Sequence, residues 1–149
     1  MVERYKNLLR TMLILTIIIM IAPFFIFPFM NNIKAKRLAN ELLCSKLPDQ
    51  TEIIEVLSGC GNVSGTGNST RIWAGMLIKT RLPDIDVFEF YKKTRAGVQK
   101  ADSREKDTLT MGNLGKTFLH LSDINEFDGY YIVEWVDDAV SSYFDLRGH

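Results

Sequence analysis

The sequence predicts an α+β domain carried on an N-terminal transmembrane helix, and three observations predict it. Residues 11–30 contain no charged side chain. Residues 71–80 alternate apolar side chains with a period of two, the mark of a strand. Residues 87–96 read as an amphipathic helix between strand-like runs. The 149 residues accordingly divide into an N-terminal segment (1–10), a span (11–30), an amphipathic connecting helix (31–47) and an α+β domain (48–149). The last of these falls in the usual size range of one domain.

The run "TMLILTIIIMIAPFFIFPFM" would rise about 30 Å as a helix, the thickness of a bilayer hydrocarbon core. Only Thr11 and Thr16 interrupt its apolar surface, and each hydroxyl can bond back to a helix carbonyl. Pro23 and Pro28 each remove an amide donor and crowd the preceding turn, so the regular helix is expected to end near Ala22. The run is long for a signal-peptide core, and no small residues at cleavage spacing follow it. Cys44 follows Leu42 and Leu43, unlike the cysteine of a lipoprotein signal. An uncleaved anchor in the cell membrane, with the lipid bilayer as its first partner, is the reading. Arg4, Lys6 and Arg10 before the span are matched by Lys34, Lys36 and Arg37 after it. The early position of a single span then sets the expectation: N-terminus in the cytoplasm, domain outside. The span contains no GxxxG spacing to support close helix pairing.

After the span, "IKAKRLANELL" puts Ile33, Leu38, Leu42 and Leu43 on one helical face, and Pro48 in "KLPDQ" ends the pattern. "TEIIEVLSGC" and "RIWAGMLIKT" read as strands, the second with Ile72, Ala74, Met76 and Ile78 on one side and Arg71, Trp73, Gly75, Leu77 and Lys79 on the other. Residues 58–70, where the two runs join, hold Gly59, Gly61, Gly65 and Gly67. A dinucleotide-binding loop needs a third glycine and a helix after it, and a P-loop needs a lysine, but no Lys or Arg occurs between Lys46 and Arg71. These glycines are therefore read as turn glycines of a hairpin connection or bulge. Asn62-Val-Ser64 and Asn68-Ser-Thr70 match the glycan acceptor pattern, which matters only in a secretory cell.

In "LPDIDVFEFYKKTR", Asp86 followed by Glu89 has capping-box spacing, which predicts a helix over 87–96 that ends in Lys92, Lys93 and Arg95. Residues 99–108 show no apolar period and read as a solvated loop. Two further strands are expected, around 117–121 and over 130–137. The order is β-β-α-β-β, and the simplest packing is a two-layer antiparallel sheet with one helix on a face.

Chemistry is sparse. Residues 31–149 carry 15 basic against 17 acidic side chains, which leaves no basic excess for nucleic acid. In "DINEFDGYYIVE", Asp123, Asn125 and Glu134 fall at positions one, three and twelve of a calcium loop, but Phe127 takes position five and the glycine comes late, so an acidic turn is the reading. His120 is the only internal histidine, and Asp137 and Asp138 point to opposite faces of a strand. No cofactor is implied and an enzyme is not expected. Cys44 and Cys60 either form one bridge in an oxidising compartment or remain free thiols.

The run "LPDQTEIIE…GNVSGTGNSTRIWAGMLIKT" with "FYKK" beyond it resembles a group of small, single-span uncharacterised proteins of clostridial and related Gram-positive bacteria. The resemblance covers roughly residues 34–93 and departs at Ser69, where the group would have glycine. It implies a bacterial envelope location and brings no activity and no site residue. The expected function is a binding or interaction module of the cell envelope, engaging another membrane or envelope protein. The alternatives are a cytoplasm-facing regulatory or assembly subunit of a larger membrane complex, or a small-molecule-binding domain.

Overall fold

Alternation along residues 71–80 builds the centre of the structure, because successive strand side chains point to opposite faces and here both sets are apolar. The computed structural model describes residues 2–61, 70–101, 118–141 and 144–148. Its elements are α1 (Val2–Ile21), α2 (Pro23–Leu43), β1 (Thr51–Gly61), β2 (Arg71–Thr80), α3 (Asp84–Lys92), β3 (Gly97–Lys100) and β4 (Tyr130–Asp138), with short 3-10 helices at Leu119–Asp123 and Leu146–Gly148. The strands form one antiparallel sheet in the order β1-β2-β4-β3.

Both faces of this sheet are covered. Ile72, Ala74, Met76 and Ile78 of β2, with Tyr131 and Val133 of β4, pack under Ala35, Leu38 and Leu42 of α2 and Val87 and Tyr91 of α3. On the opposite face Trp73, Leu77 and Ile132 are covered by Phe118, Leu121 and Ile124. The expected single helix is therefore joined on its face by α2, and the other face is closed by residues around a 3-10 turn.

Several expectations are corrected. The segment 119–123 is 3-10 helix rather than strand, and among the described residues the strand that precedes β4 is β3, whose last two residues fall in the run read as a loop. Four residues are too short to show an apolar period, and Val98 and Gln99 are held by pairing with Val133 and Ile132. The connecting helix does not begin at residue 31: it is the second half of α2, which starts at Pro23. Its buried stripe is Asn31, Ala35, Leu38 and Leu42, spaced four, three and four. Ile33 lies two positions past Asn31, about 200° round the helix, and is 53% exposed; Leu43 also lies off the stripe.

The expected end near Ala22 is only a one-residue interruption: α1 stops at Ile21, α2 resumes at Pro23 and runs through Pro28 to Leu43, and the ladder nearly carries across the break. Ala22 N–H donates to Ile18 O at 2.8 Å and Ile26 N–H to Ala22 O at 2.9 Å, while Pro23 sits at the first position of α2, where no donor is needed. The Thr11 and Thr16 hydroxyls bond back to Asn7 O and Met12 O, both at 2.9 Å. One helix, Glu3–Leu43, is thus long and apolar enough to cross a membrane, and its most apolar stretch has no side chain buried against the domain.

A bulge in β1 determines what the second face can do. The register slips between Ile53 and Glu55, so that Ile53 pairs with Ile78 while Glu55 pairs with Leu77. Without the slip Glu55 would share a face with Ile53. On the opposite face its carboxylate accepts the backbone N–H groups of Leu119 and His120, each at 3.1 Å, and anchors the 3-10 helix.

Trp73 lies flat across Gly75, and its indole N–H donates to Glu134 Oε2 at 3.1 Å. A Cβ at Gly75 would stand 2.0 Å from the Trp73 ring. Gly75→Ala is expected to destabilise the domain by about 2–3 kcal/mol through displacement of that ring, measurable as a lowered Tm with loss of near-UV tryptophan ellipticity.

Candidate functional site

α2 ends at Leu43 and α3 at Lys92, and the two helix ends stand apart over β4. Between them opens a cleft of about 420 Å³, lined by Lys46, Phe90, Tyr91, Lys93, Ala96 and Trp135 among others. Tyr91 faces the sheet because it falls one helical turn after Val87, and the two are the buried residues of α3. Trp135 shares the helix-side face of β4 with Tyr131 and Val133. The walls are mainly apolar, and two of the residues that form them hold buried polar atoms of note. Among the described residues, the Tyr91 hydroxyl and the Trp135 indole nitrogen are the buried side-chain atoms without a hydrogen-bond partner. Such groups are usually satisfied, since each costs about 1–3 kcal/mol when left alone. Burial pushes the Tyr91 phenol up to about 12, so at neutral pH it keeps its proton. The cleft therefore offers a flat apolar surface and two cationic rims, and two of the residues that line it hold a buried phenol and a buried indole N–H.

A second polar feature joins the apolar helix to the domain. Asp145 is fully buried, and its carboxylate accepts from Asn31 Nδ2 at 2.8 Å and from Arg147 Nε and a terminal guanidinium nitrogen at 2.7 and 2.6 Å. Asn31, also fully buried, accepts the Val140 N–H at 2.7 Å. Arg147 reaches on to Asn32 Oδ1 at 2.5 Å and Pro28 O at 3.2 Å. Beside this knot Phe144 packs against Phe24 and Phe27, both with ring centroids 5.5 Å away. Burial by itself would raise the Asp145 carboxyl, but the hydrogen bonds from Arg147 and Asn31 and the guanidinium charge outweigh it and hold the carboxyl at about 2.

The residues singled out by sequence are scattered. Cys44 caps the end of α2, exposed, and Cys60 is buried in β1; both are free thiols in this structure. Burial, reinforced by the neighbouring Asp145 charge, pushes the Cys60 thiol up to about 12, and its Sγ lies 3.6 Å from that carboxylate. Gly59 and Gly61 are strand residues paired with Trp73 and Arg71, because the β1–β2 ladder runs on past the expected turn; Gly65 and Gly67 lie outside the described residues. Of the glycan acceptor positions, Asn62 and Asn68 also lie outside them.

Asp86 is not the cap of α3, which begins two residues earlier with Pro83 at the cap position, and Glu89 reaches forward to Lys92 at 3.3 Å. The reason is Asp84: its carboxylate accepts the Tyr131 hydroxyl at 2.6 Å and Lys100 Nζ at 2.9 Å, tying the helix start to the sheet. His120 Nδ1 lies 3.1 Å from Glu55 Oε2 at the surface. Asp123 and Asn125 border a polar surface depression, whereas Glu134 is engaged by Trp73, so the calcium-loop positions do not converge. Among the described residues no group of three or more His, Cys, Asp or Glu side chains is placed to hold a metal.

Neither the cleft nor the Asn31–Asp145 contact had a local signal. The partners Asn31 and Asp145 are 114 positions apart, and Tyr91 and Trp135 lie in patterns that read as ordinary core. Compared with known protein families, characterised proteins and solved structures, the chain matches none.

The two polar features respond oppositely to substitution. Tyr91→Phe removes an unpartnered buried hydroxyl and keeps the ring, so thermal unfolding is expected to show a neutral change or a gain of about 1 kcal/mol. Asp145→Asn leaves Arg147 without its buried counter-charge and should cost about 2–3 kcal/mol. The native carboxyl is depressed from 3.8 to about 2, so its stabilisation is complete above pH 4 and is lost as pH falls toward 2. Acid titration of unfolding should show that loss in the native chain and a shallower one in Asp145→Asn.

Proposed function

We propose that this chain is a single-pass, membrane-anchored binding module of the cell envelope, with its N-terminus in the cytoplasm and its α+β domain outside. One observation carries the reading: the helix that is long and apolar enough to span a bilayer continues into the domain core and ends beside the aromatic cleft. From Asn31 to Leu43 α2 rises about 20 Å, which holds the cleft clear of the apolar run. Large apolar side chains such as Met20 and Phe25, 68% and 71% exposed, suit lipid as their surroundings. Phe144, packed against Phe24, extends that apolar surface along the base of the domain. The resemblance to small single-span envelope proteins over residues 34–93 supports the same location.

Topology is tested with the native cysteines. Cys44 is exposed and Cys60 buried with a thiol that stays protonated, so only Cys44 should react readily with a membrane-impermeant maleimide. Labelling of intact cells without prior reduction, abolished by Cys44→Ser, is the expected result. Labelling that appears only after lysis would place the domain in the cytoplasm and favour a subunit of a larger membrane complex.

A further inference from the structure

We propose that the cleft between the ends of α2 and α3 binds a small carboxylate with a flat, apolar body. This rests on the reading of the domain as a binding module and names the ligand class of its cleft. Three properties of the cleft select that chemistry. Phe90, Ala96 and the rings of Tyr91 and Trp135 supply apolar walls, and about 420 Å³ lies within the range of small-molecule sites. The two buried atoms in those walls that lack a partner are a phenol O–H and an indole N–H. An indole nitrogen only donates, so its complement is an acceptor such as a carboxylate oxygen.

The third property is charge. Lys46 and Lys93 line the cleft, no Asp or Glu does, and neither lysine forms an ion pair among the described residues. The nearby acids are already engaged: Glu89 with Lys92, Asp137 with Lys34 and Arg95, and Glu41 with Arg37. An ammonium ligand would meet two positive charges and no acceptor of opposite sign. A carboxylate is attracted by two cations and is the complement of the two buried donors, while its body replaces water against the aromatic walls.

The test uses the full chain in lipid nanodiscs and follows the indole N–H proton resonances of its two tryptophans. Trp135 reports the cleft, and Trp73, bonded to Glu134 on the other face, is the internal control. The probes are hydrocinnamate and phenylpropylamine, which share an aryl body and differ in the sign of charge. Hydrocinnamate should shift Trp135 saturably at about 1 mM and leave Trp73 unmoved. Phenylpropylamine should not saturate Trp135. Tyr91→Phe should weaken hydrocinnamate about fivefold to tenfold, and Lys46→Gln with Lys93→Gln by a similar factor, with Trp73 unchanged as proof of an intact fold.

A Trp135 resonance that hydrocinnamate leaves in place, equal response to both probes, or unchanged affinity in the lysine variant would each overturn the proposal. The readout is independent of which side of a cell membrane the domain faces. A missing shift therefore removes the ligand and leaves the anchored arrangement standing, while cytoplasmic Cys44 removes the orientation and leaves the ligand.

Discussion

Everything above the apolar run depends on α2 serving two environments. Its first turns expose phenylalanines, and its later turns bury Ala35, Leu38 and Leu42 under the sheet. The change of role occurs at Asn31, which is fully buried yet polar and is bonded to Asp145 and to the Val140 backbone. A buried polar pair of this kind tolerates little displacement, because a broken bond leaves two desolvated groups without partners. The domain is thereby clamped to the helix at its base by Asp145 and Arg147, and farther up by apolar packing. Lys34 adds an ion pair to Asp137 at 3.0 Å. In the anchored reading, such a clamp holds the domain at a set height and tilt rather than on a loose tether.

The sheet reconciles its two covered faces by a single slip in register. Opposite β2, whose faces are both apolar, β1 has to place the charged Glu55 without burying it unpaired. The bulge turns Glu55 to the side where backbone donors await it at Leu119 and His120. One extra residue in a strand thus converts a charge that would disrupt the helix-side core into the anchor of the opposite cover.

The cleft is what remains where α2 and α3 stop. Helix ends leave backbone and side chains less densely packed than helix middles, and here the gap coincides with two aromatic residues whose polar atoms have no partner among the described residues. Elsewhere the buried polar side chains are bonded inward, Asp145 and Asn31 to each other and Thr80 to Thr51. Tyr91 and Trp135 depart from that pattern, which is why the cleft, rather than the polar depression near Asp123, carries the binding argument.

Sequence alone determined the features that rest on local physical rules. The uncharged run sets a helix of membrane-spanning length, Pro23 marks a one-residue interruption in it, and the alternation in residues 71–80 sorts Ile72, Ala74, Met76 and Ile78 from Trp73 and Leu77. Tertiary structure alone decided the rest. β3 is a strand because β4 pairs with it, α3 starts at Asp84 because Tyr131 and Lys100 bind that carboxylate, and the segment 119–123 coils because Glu55 caps it. The cleft and the Asn31–Asp145 contact join residues 44 and 114 positions apart. Periodicity reports which face of an element is apolar, but the identity of a partner across such distances depends on how whole elements pack, and no local window contains it.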